Sequence, residues 1–252
     1  MLHDAVSPSA HVVLAHGFAQ TARSWSIFED LLRERLPGVD TTAVDMPGHG
    51  DAPPPLDADL WASAERLVDT GGTATYLGYS MGGRVALHAT LAAPARVRGL
   101  VLIGATAGID DEDERGARRS EDERLAAHIE AVGVATFIDE WLANSLFAGL
   151  TEATAMRTDR LRNTSAGLAA SLRATGTGTQ TPLWDRLGEI QVPVLILAGE
   201  HDAKFTALGE RMAAAMNDST FEVVAGAGHS VHLERPEATA DAVARWWSAG
   251  RR

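Results

Sequence analysis

The sequence predicts an α/β fold, a mostly parallel β-sheet flanked by helices, with a helical cap inserted near its middle. Three observations carry that expectation. Short runs rich in Val, Ile and Leu alternate with helix-forming segments, the signature of βαβ units. Several of those runs are continuously apolar, as strands covered on both faces must be. The alternation then stops between Gly104 and about Pro182 and resumes at Pro193.

Taken in order, strand texture occurs at 11–15 (HVVLA), 40–45 (DTTAVD), 73–77 (TATYL), 97–103 (VRGLVLI), 192–198 (VPVLILA) and 220–225 (TFEVVA). Helical segments occupy 24–36, roughly 57–70, 82–93 and 206–216. The interruption opens with the acidic run Asp110 to Glu114 and carries eight arginines and no lysine. The expected organisation is therefore a core from 1–104 and 183–252 with a cap insertion at 105–182. The cap would lie above the strand carboxyl ends, where open sheets bind ligands. Gly176-Thr177-Gly178-Thr179 would be its exit hinge.

Composition narrows the function classes. A chain of 252 residues can bury one good core. Its net charge of −12, from 34 acidic and 22 basic residues, argues against a nucleic-acid partner, whose phosphates need a basic face. No apolar run approaches the ~20 residues of a membrane span. Met1 to Ala10 has neither the basic cluster nor the apolar stretch of a signal peptide. With no cysteine there is no disulfide framework and no thiolate nucleophile or ligand. A cytoplasmic protein is the expectation, with oligomeric state left open. All basic residues except Lys204 are arginine, whose rigid fork of donors suits carboxylates.

Chemistry concentrates in three places. Gly78-Tyr79-Ser80-Met81-Gly82 fits the nucleophile elbow G-x-S-x-G, set between a strand and a helix as that motif requires. The turn projects the serine above the sheet at a helix N-terminus, where developing negative charge is favoured. A serine needs a base. His229, in Gly226-Ala227-Gly228-His229-Ser230 after the last strand, is the candidate; His232 is weaker, and His3, His11, His88 and His128 have no supporting context. Asp202, at the end of the strand 192–198, would hold the imidazole in the right tautomer. The order Ser80, Asp202, His229 is that of the α/β-hydrolase fold. Oxyanion donors are expected from the Met81 N–H and, in His16-Gly17-Phe18, from the Phe18 N–H. His16 and His49 read as loop-packing residues. No histidine–carboxylate spacing fits a metal site, and no cofactor is implied.

These motifs make the chain resemble the α/β-hydrolase superfamily over essentially its full length. Gly78 to Arg84, Gly199-Glu200-His201-Asp202-Ala203-Lys204-Phe205, Gly228 to Glu234 and the stretch from Asn163 to Trp184 resemble the 2-succinyl-6-hydroxy-2,4-cyclohexadiene-1-carboxylate synthases of menaquinone biosynthesis. That resemblance implies a lyase that eliminates pyruvate from a polycarboxylate, with the serine acting as a triad-activated base. It also implies that Tyr79 lines the pocket, that Arg84, Arg118 and Arg160 grip substrate carboxylates, and that Trp141 packs on the substrate from the cap. Three have a plainer reading: Arg118 pairing with Glu114 one helical turn away, Trp141 as cap core, and Tyr79 as strand-end packing. After Phe18 the chain departs from that family, with Ala19-Gln20-Thr21 in place of a small, glycine-rich loop. The same triad would serve a carboxylesterase or carbon–carbon bond hydrolase. A non-catalytic small-molecule receptor has no need of all three groups, and a haloalkane dehalogenase would need an aspartate where Ser80 stands.

Overall fold

Six strands form one sheet: β1 (Ala10–Ala15), β2 (Val39–Val44), β3 (Ala74–Tyr79), β4 (Val97–Ile103), β5 (Val194–Gly199) and β6 (Ser219–Val224). Every neighbouring pair is parallel, in the order β2-β1-β3-β4-β5-β6. The computed structural model describes residues 10–55 and 59–250; His3, the rest of the leading segment and the expected helix start at 57 lie outside the described residues. Each strand falls within two residues of its sequence expectation. β5 starts at Val194, after Pro193, which has no N–H to give the ladder.

Because strand side chains alternate, the sheet feeds two cores. Val13, Ala15, Tyr76, Leu100, Leu102, Val194 and Ile196 face one way. They pack under α2 (Leu60–Gly71), α3 (Met81–Ala92) and α8 (Ala203–Ala215). Val12, Leu14, Leu77, Val101, Ile103, Leu195 and Leu197 face the other way. Their cover is α1 (Ser26–Arg35) and α10 (Pro236–Ser248), the latter through Val243, Trp246 and Trp247. The sequence reading did not anticipate α10 or the short α9 (Val231–Glu234), although Pro236 sits at a first helical position, where its fixed φ is pre-organised.

Between β4 and β5 the chain forms α4 (Glu112–Leu142), α5 (Glu152–Ala155), α6 (Arg157–Arg160) and α7 (Ser165–Thr175). α4 is capped by Asp111, whose carboxylate accepts the Glu114 N–H at 2.8 Å. It is two arms joined at Gly133, where φ is +82° and ψ is 161°. That left-handed break, which glycine adopts readily, lets Ala126, Ile129, Phe137 and Ile138 share one apolar cluster with Leu168, Ala169 and Leu172 of α7. Ala19, from the loop after β1, completes it, so this layer is fastened to the sheet's edge of the cavity.

The segment 176–179 is not the free hinge expected from its glycines. Gly178 donates its N–H to Asp122 at 3.0 Å and accepts from Arg119 at 3.2 Å. A side chain on Gly178 would collide with the α4 backbone. Glycine stands there because two backbones nearly touch.

Candidate active site

The loops after β1 and β3 diverge where the strand order changes direction, which opens a crevice at the strand carboxyl ends. Ser80 stands in that crevice as the N-cap of α3, with φ +51° and ψ −108°. A β-carbon dislikes positive φ, so surrounding contacts must impose it. They are visible: the Ser80 N–H donates to Ile103 O at 2.8 Å, and the Arg84 N–H donates to Ser80 O at 3.1 Å. Gly82 allows the turn to close, since any side chain there would run into the Ala15 carbonyl.

Asp202 ends the turn after β5, and His229 lies in the loop after β6. Their side chains meet at 2.6 Å, His229 Nδ1 to Asp202 Oδ2, while His229 Nε2 lies 3.3 Å from Ser80 Oγ. The second Asp202 oxygen accepts the Phe205 N–H at 3.3 Å and so caps α8. Asp202 and His229 are both buried. With Nδ1–H directed at a carboxylate, Nε2 is left as the proton acceptor facing the hydroxyl. Gly104 makes room for the ring: its φ is +55°, and a β-carbon there would lie 2.9 Å from His229 Cε1.

Sequence reasoning assigned no role to Glu234. Its buried carboxylate accepts the N–H groups of Gly228 at 2.6 Å and Ser230 at 2.9 Å, straddling His229 and fixing that loop. The only advance signal was its place in the His229 motif. Tyr79 is buried with its hydroxyl 2.9 Å from Ser230 Oγ. Burial raises its phenol well above the ordinary value, so it stays protonated. His232 is enclosed between Trp25 and Tyr79 with no partner for either nitrogen among the described residues, and burial holds it neutral.

The loop after β1 is held by two buried histidines. His16 Nε2 accepts the Met46 N–H at 3.0 Å and its Nδ1 lies 2.8 Å from Gly17 O. His49 Nε2 accepts the Ala19 N–H at 3.1 Å. Burial lowers them to about 4 and about 3, which keeps both neutral, as their acceptor roles demand. Among the described residues neither the Phe18 N–H nor the Met81 N–H has a protein acceptor. The first lies in a loop and the second at a first helical position, the kind of free donor pair an oxyanion needs.

A cavity of about 690 Å³ opens over Ser80. All ten residues singled out from the sequence line it: Phe18, Tyr79, Ser80, Met81, Arg84, Arg118, Trp141, Arg160, Asp202 and His229. Arg84 is only 7% exposed and Arg160 1%. Arg84 donates to Thr175 O at 2.8 Å, and Arg160 to Ala155 O at 2.8 Å and Ala19 O at 3.2 Å. Neither makes an ion pair among the described residues. Burial lowers each guanidinium to about 10, with Arg118 adding to the effect on Arg84, so both remain charged near neutrality. Arg118 differs. It is half-exposed and pairs with Asp122 at 2.7 Å, one turn forward, rather than with Glu114. Trp141 stacks edge-on with Phe18 at 5.5 Å, and its buried indole N–H has no acceptor among the described residues. Lys204, Phe205 and Arg211 also line the cavity. Among the described residues no cluster of His, Asp and Glu is arranged to hold a metal ion, and no helix is long and apolar enough to cross a membrane.

Comparison with known proteins bears on this geometry. The alpha/beta hydrolase family matches residues 12–242. A Bacillus subtilis (strain 168) protein provisionally named 2-succinyl-6-hydroxy-2,4-cyclohexadiene-1-carboxylate synthase is 35% identical over 241 residues, covering 90% of this chain and 86% of that protein. The enzyme of that name from Salmonella arizonae is 32% identical over 241 residues, covering 93% and 92%. The solved structure of MenH from S. aureus superposes with a TM-score of 0.90 at 28% identity, covering 98% of this chain and 97% of that one.

Proposed function

The chain belongs to the α/β hydrolase family and, within it, to the 2-succinyl-6-hydroxy-2,4-cyclohexadiene-1-carboxylate synthases, and on that footing we propose that it is a cofactor-free, cytoplasmic lyase of menaquinone biosynthesis. It would eliminate pyruvate from a cyclohexene polycarboxylate, bound between a core at 1–104 and 183–252 and a cap at 105–182. One observation carries the choice of an anionic substrate. Arg84 and Arg160 are buried guanidinium groups without carboxylate partners among the described residues, and both face the cavity that holds Ser80. A buried charge is costly unless paired, and a substrate carboxylate supplies the missing partner.

The chemistry follows from the contacts. His229 Nε2 takes the Ser80 hydroxyl proton as Oγ takes a proton from a substrate C–H, with Asp202 stabilising the imidazolium. The freed electron pair forms a ring C=C bond, the neighbouring C–O bond breaks, and its pair leaves on the three-carbon fragment. That fragment takes the proton held by the His229 imidazolium and departs as pyruvate, which returns the triad to its starting state. Phe18 and Met81 N–H groups are positioned for the negative oxygen that develops. Arg84, Arg118 and Arg160 hold carboxylates, and Trp141 and Tyr79 shape the walls. No acyl-enzyme is required, so the same triad serves elimination where a hydrolase would use it for attack.

The test follows pyruvate release from the cyclohexene polycarboxylate beside nitrophenyl acetate hydrolysis by the same enzyme. Efficient elimination with slow ester turnover is expected. Ester turnover without pyruvate release would put a carboxylesterase first.

A further inference from the structure

Lys204 is the one lysine in a chain whose other 21 basic residues are arginine. It occupies the second position of α8, two residues after Asp202, and its exposed side chain lines the cavity. Three physical facts make that placement hard to explain by folding. A cation in the first turn of a helix opposes the macrodipole. Its ammonium makes no ion pair among the described residues, and Asp202, the nearest acid in sequence, has its oxygens engaged by His229 and the Phe205 N–H. Its recorded contact is a loose one, 5.8 Å to the centroid of the Phe205 ring, and that ring packs 4.5 Å from His229. Of the other rim cations, Arg211 pairs with Asp110 at 2.6 Å and Arg118 is partly neutralised by Asp122 through its Nε.

We propose that Lys204 is a fourth anion-binding group of the site, holding an outer carboxylate of the substrate at the cavity mouth while Arg84 and Arg160 hold those buried within. This rests on the polycarboxylate reading above and adds to it the residue that meets the substrate first. The rim also carries Asp110, Asp111, Glu114 and Glu121, which repel a polyanion. An uncommitted ammonium among them offsets that repulsion and fixes the side from which the substrate enters. Lysine fits this task because a flexible stem carrying a point charge can follow an incoming carboxylate, whereas a planar fork must be pre-aligned.

Lys204→Met and Lys204→Arg are compared with the wild type in two assays at low and high ionic strength. In the first, kcat/KM for pyruvate release should fall about three- to ten-fold in Lys204→Met, mostly through KM, as expected for a partly exposed charge. Nitrophenyl acetate hydrolysis should be unchanged, Lys204→Arg should recover part of the loss by keeping the charge, and the loss should shrink as salt screens the contact. In the second, citrate serves as a tricarboxylate inhibitor of ester hydrolysis, and its inhibition constant should weaken by a similar factor. If the wild type releases no pyruvate, the lyase reading fails, yet the citrate measurement still reads Lys204. An unchanged citrate constant in Lys204→Met, or equal losses on citrate and ester, overturns the proposal.

Discussion

Replacing Arg84 by methionine should make the protein more stable and less active. Burial lowers this guanidinium from its ordinary value to about 10, a shift of between two and three pKa units. At roughly 1.4 kcal/mol per pKa unit, the charged form therefore costs the folded state about 3 kcal/mol. The sign is plain: below pH 10 the side chain is protonated in both states, so at neutrality the whole cost is present. Against it stands the hydrogen bond to Thr175 O at 2.8 Å, whose loss leaves a buried carbonyl unmet at about 1–3 kcal/mol. Methionine fills much of the same volume, so no large cavity term enters. The net gain is about 1 kcal/mol, a Tm rise of roughly 2–4 °C for a chain of this size. Function moves the other way. Of the five guanidinium N–H groups, one meets Thr175 among the described residues, leaving an edge free for a carboxylate. Losing a charge-assisted contact of about 1.5–3 kcal/mol lowers kcat/KM for pyruvate release roughly 10- to 150-fold. A neutral ester should be nearly unaffected. Calorimetry and the two-substrate assay check both halves together. A lower Tm, or equal losses on the two substrates, would mean that Arg84 serves the fold and that its charge waits for no ligand.

Other outcomes follow from the same contacts. Ser80→Ala should keep the circular dichroism and Tm of the wild type while turnover falls by ~10⁴–10⁶, as for lost triad members; near-normal turnover in the folded variant would remove Ser80 from the mechanism. Gly104→Ala should cut kcat by displacing His229, whose Cε1 would lie 2.9 Å from the new carbon, and should cost about 1–2 kcal/mol in urea unfolding for its positive φ. Glu234→Ala strands the Gly228 and Ser230 N–H groups, so kcat should drop more than KM changes; wild-type kcat would show that the His229 loop needs no such brace. His16, His49 and His88 are lowered by burial to about 4, 3 and 4, so between pH 6.5 and about 4 the unfolded chain binds more protons than the folded one. Stability should therefore fall as the pH is lowered through that window, by about 1 kcal/mol per pH unit for each group, and His88→Leu should flatten the urea midpoint's pH dependence.

The parts of this protein that were legible in advance are those written into local spacing. Continuous apolar runs specify strands buried on both faces, so all six strands were placed within two residues. The elbow depends on five consecutive residues, and the serine, acid and histidine each follow a strand, so the crevice at the strand ends gathers them whatever the intervening chain does. The oxyanion loop followed from its place after the first strand, the arginine positions came from resemblance to a family, and the cavity brings all of them together. Tertiary structure alone decided which charges are paired. Local spacing offered Glu114 as the partner of Arg118 and none for Arg84, but only folding puts Asp122 against the first and leaves the second with a carbonyl. Gly178 read as a hinge because its collision partner, the α4 backbone at Arg119, is 59 residues away. Glu234 showed no task, because its two N–H partners fall on either side of His229 only when α9 turns back on the loop. Periodicity records what a residue requires of its immediate neighbours and of water. Charge pairing and close backbone approach depend on distances across the folded chain, which no local pattern encodes.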